Sequence, residues 1–196
     1  DFSYNPCGRD GPQHWTGKCL IGEEQSPIDL CNEKVMDYKR EIVIESPKQA
    51  WKVQNNGHSV VFFPSSTNTL SIGNIPFLVG RTSDDSTISW KLHEIHCHLG
   101  RDGGQDGSEH ALHGKKFPME CHAVHYNVKY KSFQEAVASK VGDQLLVLGF
   151  FFEIKPQGSA FLDEMSKYTQ LTLNKLKETN EISLDWVDNI NDYDYH

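Results

Sequence analysis

No run of apolar residues approaches the roughly 20 needed for a membrane-crossing helix. The longest, Leu145-Leu146-Val147-Leu148-Gly149-Phe150-Phe151-Phe152, reads as one fully buried central strand. Positive charge is also scarce: 19 Lys and Arg face 27 Asp and Glu, for a net charge of −8. That balance excludes a nucleic-acid backbone as partner and favours cations. None of the five cysteines forms a Cys-x-x-Cys pair, which excludes a thiolate zinc site of the usual spacing. No Asn-x-Ser/Thr sequon marks a glycosylated surface, so N-glycosylation says nothing of compartment. Neither an initiating Met nor a signal peptide opens the chain, so a processed form or a piece of a longer protein is expected. There is no internal repeat.

What is present is a β-rich pattern. At 196 residues, with 37% hydrophobic and 11% aromatic residues, the chain can bury a sizeable core as one domain. Short alternating segments predict strands over 41–45, 52–54, 59–63, 69–72, 89–99, 120–130 and 145–154, with turns at Asn56-Gly57, Gly73-Asn74 and Asp102-Gly103-Gly104. Residues 1–30 read as an irregular wrap, 132–138 as a short helix, and 161–179 as a longer one. The expected class is mainly β with a few short helices. The last stretch, 185–196, is acidic and rich in Asn and Tyr. It is either a solvated tail or a weak calcium-attracting segment, since Asp and Asn offer the hard oxygen ligands calcium prefers.

Three of the ten histidines carry the chemistry. His96 and His98 stand two apart on one predicted strand, so both project from the same face. A neighbouring antiparallel strand can present His122 opposite them. Three neutral imidazoles without a thiolate suit a zinc ion that keeps a fourth position for water, the arrangement of a catalytic site. Ligating histidines usually donate their second ring N–H to a carboxylate. Glu94 and Glu120 each lie two residues before a ligand, His96 and His122 respectively, and so on the same strand faces.

Cys7, Cys19 and Cys31 lie in the loop-rich start, where disulfides serve a secreted protein. Cys97 and Cys121 fall on the strand faces opposite the histidines and are expected to be small buried hydrophobes. The odd count leaves one thiol free, or paired to another molecule in a disulfide-linked oligomer or matrix.

The motifs, in order, are Gly11-Pro12-Gln13-His14-Trp15, Gln25-Ser26-Pro27-Ile28-Asp29, Asn55-Asn56-Gly57-His58, His96-Cys97-His98, Gly107-Ser108-Glu109-His110, Glu120-Cys121-His122-Ala123-Val124-His125-Tyr126-Asn127 and Leu146-Val147-Leu148-Gly149. This succession resembles the α-class carbonic anhydrases, from about Tyr4 to Thr179. The resemblance implies a mostly antiparallel twisted sheet, incomplete at its C-terminal end, with the anhydrase domain over 1–184. It also implies zinc on His96, His98 and His122, and reversible hydration of carbon dioxide to bicarbonate. Glu120 matches the acceptor that orients His122, and His58 the proton shuttle. Tyr4 and Asn56 match the residues that organise water between shuttle and metal. Val124 and Val147 match the apolar wall where carbon dioxide rests.

Three departures are visible. Glu94 stands where the family usually has glutamine; its charge should make His96 more basic and raise the pKa of zinc-bound water. Glu109 matches a glutamate that holds a threonine hydroxyl beside the metal, in a Ser-Leu-Thr-Thr-Pro-Pro-like segment that does not occur in this sequence. Cys19 matches a cysteine whose family partner lies in that same segment. The 196 residues alone are therefore expected to fold poorly and to show little activity.

The acidic ending, with Cys7-Gly8-Arg9 near the start, resembles the nacrein-like mollusc shell-matrix proteins. That likeness implies secretion into a shell organic matrix, weak calcium binding and control of calcium carbonate deposition, with 185–196 opening an inserted repeat. The rival expectation is a non-catalytic, calcium-binding matrix protein.

Overall fold

A computed structural model describes residues 9, 11–23, 25–31, 42–45, 50–56, 59–64, 69–72, 88–100, 104–156, 162–163, 165–167 and 182–183. Among them, eight strands form one sheet with every pairing antiparallel. They are β1 (Ile42–Glu45), β2 (Ala50–Asn55), β3 (Val60–Pro64), β4 (Thr69–Ile72), β5 (Ile88–Leu99), β6 (Met119–Asn127), β7 (Leu145–Phe152) and β8 (Ile182–Ser183). The helices are short: α1 (Lys18–Ile21), α2 (Phe133–Ser139) and a 3-10 turn at Pro12–His14.

β5 is the axis. At twelve residues it is long enough to pair with two strands along one edge. Its first part takes β4 (Trp90 opposite Leu70) and its second part β3 (His96 opposite Val61). Its other edge runs the length of β6, with His96 opposite His122 and His98 opposite Glu120. The ladder is irregular between Leu92 and Glu94. Bulges of this kind re-aim side chains near functional sites.

The two faces of this ribbon have different chemistry because strand residues alternate. One face packs Trp51, Val53, Phe62, Cys97, Met119, Cys121 and Met165 into the core. The other carries the histidines and carboxylates. β6 is buried over almost its whole length, as a strand flanked on both edges should be.

The predicted strands coincide with the observed ones to within a few residues. β6 stops at Asn127, short of the expected 130, because Asn127 turns the chain. Its carbonyl accepts from Tyr130 N at 3.1 Å and its Oδ1 from Lys129 N at 3.0 Å. α2 begins where Ser132 Oγ accepts the Glu135 N–H at 3.1 Å, an N-cap that starts the predicted helix. Of the predicted helix over 161–179, residues 162–163 and 165–167 are helical and the rest lies outside the described residues. The acidic 185–196 segment also lies outside them.

Two expectations are corrected. β7 is not a fully buried central strand: among the described residues it pairs with β6 alone, and Val147 is 49% exposed. A continuous apolar run reports hydrophobic surroundings, not whether both strand edges are taken. Cys97 and Cys121 do face away from the histidines, but they are a disulfide rather than two buried thiols. They are direct cross-strand partners in the β5–β6 ladder, which brings their Cα atoms to 4.0 Å. Strand pairing created that proximity, and no spacing rule in the sequence announces it. Cys19 and Cys31 are free and exposed.

The disulfide ties together the two strands that carry the histidines, across a sequence separation of 24. On loop-closure entropy it is worth about 3 kcal/mol. Reducing it, or making the Cys97→Ala, Cys121→Ala double variant, should lower the thermal midpoint by roughly 6–12 °C. A midpoint indifferent to reductant would show that the sulfurs are thiols in solution.

Candidate metal centre

The i, i+2 spacing on β5 and the β5–β6 register bring His96, His98 and His122 into one cluster. Their ring centroids are 5.2, 5.3 and 5.0 Å apart, a nearly equilateral triangle. One nitrogen of each lies within 4.8 Å of the others.

The hydrogen bonds determine which nitrogens face inward. His96 Nδ1 donates to Glu94 Oε1 at 3.0 Å, because an ionised carboxylate can only accept. That leaves its Nε2 with a lone pair for a metal. His122 Nε2 donates to Glu120 Oε1 at 2.8 Å, which leaves Nδ1. His98 Nε2 is buried without a hydrogen-bond partner. Burial holds the His98 pKa below the ordinary histidine value, against the opposing pull of Glu109. A neutral imidazole whose buried nitrogen meets no hydrogen-bond donor or acceptor keeps a lone pair for a cation, so the donor set fits zinc.

Glu120 organises this arrangement. Only 2% exposed, it accepts four hydrogen bonds. Oε1 takes His122 Nε2 at 2.8 Å and His110 Nδ1 at 2.7 Å. Oε2 takes the backbone N–H of Glu109 and of His110, each at 2.8 Å. Burial alone would push its pKa up, but the His110 backbone and the two rings outweigh it and hold the carboxyl below its usual value. His110 in turn has Ser26 Oγ 3.1 Å from its Nε2, tying the Gln25-Ser26-Pro27 motif to the site. The second metal-like grouping, His110 with Glu120 and His122, is this same hydrogen-bonded set.

Two glycines let the parts approach. A Cβ on Gly149 would lie 3.3 Å from Glu120 Oε1 and 3.7 Å from His122 Cδ2. A Cβ on Gly107 would lie 1.8 Å from the Pro118 carbonyl oxygen. The second closeness is needed because Gly107 and Ser108 both donate to the Phe117 carbonyl, at 2.8 Å each, pinning the segment that carries Glu109.

Of the other predicted site residues, Glu109 reaches the cluster: its Oε2 lies 3.4 Å from His98 Nε2 and 3.9 Å from His122 Nδ1. Val124 is buried, two residues along from His122 on the same face, and pairs across the sheet with Val147. Asn56 closes the turn after β2, its Oδ1 accepting Ser59 N at 2.9 Å. Tyr4 and His58 lie outside the described residues. The sequence reading assigned no role to His110 or Gly149. Both stood inside quoted motifs, but only the folded chain shows what they touch.

The model of eukaryotic-type carbonic anhydrases matches residues 10–193, nearly the whole chain. The chain belongs to that family. Carbonic anhydrase 7 of Homo sapiens is 35% identical over 151 residues, covering 74% of this chain and 53% of the human protein. Carbonic anhydrase 3 of Homo sapiens is 29% identical over 170 residues, covering 81% of this chain and 60% of the human one. The chain thus spans between half and two thirds of the length of these curated relatives. The fold is the family's mostly antiparallel sheet, and the family's zinc dependence agrees with the three-histidine donor set.

Two outcomes follow for an anhydrase site built this way. Glu120→Gln keeps the shape but loses the charge that fixes His122, and should weaken zinc binding roughly 10–100-fold in a chelator competition. Unchanged affinity would remove Glu120 from the centre. Burial lowers the His125 pKa to about 4, against the hydrogen bonds its ring makes to the backbone at Ala123 and Leu146. Unfolded histidine titrates near 6.5, so the stability from keeping His125 neutral is complete above about pH 6.5 and lost as pH falls toward 4. Denaturant titrations should show a decline of roughly 3 kcal/mol over that window, and His125→Gln should flatten it.

Proposed function

We propose that this chain carries the metal centre of a secreted carbonic anhydrase, with zinc on His96, His98 and His122, acting on carbon dioxide and bicarbonate. The observation that supports it best is the inward lone-pair set: His96 Nε2 and His122 Nδ1, freed by Glu94 and Glu120, with the orphaned His98 Nε2. When bound, zinc lowers the pKa of a water to about 7, the value carbonic anhydrases themselves display. The chain's residues do the rest. Val124 and Val147 offer apolar surface beside His122 for an uncharged gas molecule. His58, two residues after Asn56 in the sequence, matches the family's proton shuttle, and Tyr4 and Asn56 match the residues that order the intervening water.

The finer reading is a nacrein-like shell-matrix protein that supplies carbonate and regulates calcium carbonate growth. Its support is the net charge of −8 and the Asp185, Asp188, Asp192 and Asp194 cluster. The same features favour a second reading, a calcium-binding matrix protein without turnover, and association through free cysteines would suit either.

Stopped-flow hydration of carbon dioxide by the intact natural protein tests the enzymatic reading. Turnover should vanish on chelation and return with zinc. His98→Ala should cost more than the roughly 100-fold typical of an outer-shell change. Hydration that ignores zinc, or none at all, sinks it. Mineral growth in the presence of native, zinc-stripped and Leu184-truncated protein separates the two shell readings. Loss on zinc removal points to carbonate supply, and loss on truncation to calcium capture.

A further inference from the structure

The Cys97–Cys121 disulfide occupies a particular place in the β5–β6 ladder. Three successive rungs read His96 opposite His122, Cys97 opposite Cys121 and His98 opposite Glu120. The covalent rung therefore lies between two of the histidines on one side and, on the other, the third histidine with the carboxylate that orients His122. Alternation sends the sulfurs to the core and the imidazoles to the opposite face.

The end of β5 that bears His98 leans on this rung most. Among the described residues, β3 pairs with β5 only at Ile95 and His96, and from Cys97 onward β5 pairs with β6 alone. His98 has no second strand beside it, whereas His122 on β6 is flanked by β5 and by Gly149 of β7.

Two thiols do not fit where one disulfide does. Non-bonded heavy atoms settle about 3.5–4 Å apart. Both cysteines are buried among Trp51, Phe62, Met119 and Met165. A close-packed core resists the extra demand, so opening the bond either displaces these side chains or spreads the rung. A metal centre tolerates donor displacements of only about 0.2 Å. Spreading at the middle rung passes directly to the rungs on either side.

Resting on the zinc reading above, we propose that Cys97 and Cys121 are positioning residues of the metal centre, and that their oxidation state is linked to its occupancy. The oxidised chain binds zinc more tightly than the dithiol chain. Bound zinc protects the bond from reduction by the same factor, because coupling between two equilibria is reciprocal. In the coupled step a small dithiol delivers two electrons and two protons to the Cys97–Cys121 bond, which opens to two thiols, and closes to its own disulfide.

Chelator competition at buffered free zinc compares the full chain oxidised, reduced, and as the Cys97→Ala, Cys121→Ala double variant. Affinity should fall roughly tenfold or more in the last two, the loss typical when a ligand's support is disturbed. Titration with a small dithiol, read at Cys97 and Cys121 by alkylation and peptide mass, gives the reciprocal arm. Saturating zinc should raise the ratio of dithiol to its disulfide at half-reduction by the same factor. Val53→Ala on β2 is the control, since it removes core packing without altering a residue of β5 or β6. Equal affinity in the oxidised and reduced chains overturns the proposal. So does a loss in Val53→Ala as large as in the reduced chain, or circular dichroism showing the reduced chain unfolded, because the bond then holds the fold rather than the centre. Alkylation that finds both sulfurs as thiols in the untreated chain overturns it outright. If the oxidised chain takes up no zinc, the three-histidine reading itself fails and this inference with it. That result is distinct from zinc bound equally in both states.

Discussion

A single buried carboxylate holds this molecule's chemistry together. Burying Glu120 without partners would cost several kcal/mol, and the chain avoids that cost by meeting it with four N–H donors. Those donors come from places far apart in sequence and function. One is a ring that faces the metal position, one a ring that reaches back to the N-terminal motif, and two are backbone amides of the segment beside the cluster. Satisfying one charge thus registers β6, the Gly107–His110 segment and the Ser26 region against one another. The tautomer of His122 follows as a by-product, since an ionised acceptor leaves the imidazole no choice of which nitrogen carries the proton.

The sheet supports this from the other side. His96 opposite His122 and Cys97 opposite Cys121 are successive pairs in one ladder, so the donors and the disulfide stand back to back. Core packing of Trp51, Phe62, Met119 and Met165 around the sulfurs keeps the two strands from sliding, and a slide of one residue would send every histidine to the wrong face. The rigid face supplies the positional accuracy that metal binding requires, while the carboxylates supply orientation. Gly149 completes the arrangement by its lack of a side chain, letting β7 close over Glu120.

Much of this was readable before folding because strand periodicity is local. Two residues apart means one face, so Glu94, His96 and His98 could be grouped from spacing on one strand and Glu120 with His122 on another, and the ordered motifs pointed to the family. The misreadings concern relations between segments. Whether β7 has a neighbour on its far edge, or whether Cys97 meets Cys121, depends on sheet order and register, which the residues of either strand do not encode separately. His110 was quoted but given no role for the same reason: its partner is ten residues away across a loop.

The amino-acid order by itself determined which residues share a face, which types could ligate a metal and which family the motifs resemble, because alternation and residue chemistry are properties of short stretches. Only the tertiary structure decided which imidazole nitrogens turn inward, that the two central cysteines are joined, and that the Glu109 carboxylate stands at the edge of the cluster. Those outcomes depend on distances between strands and loops, and such distances exist only once the buried charge of Glu120 has drawn its donors together.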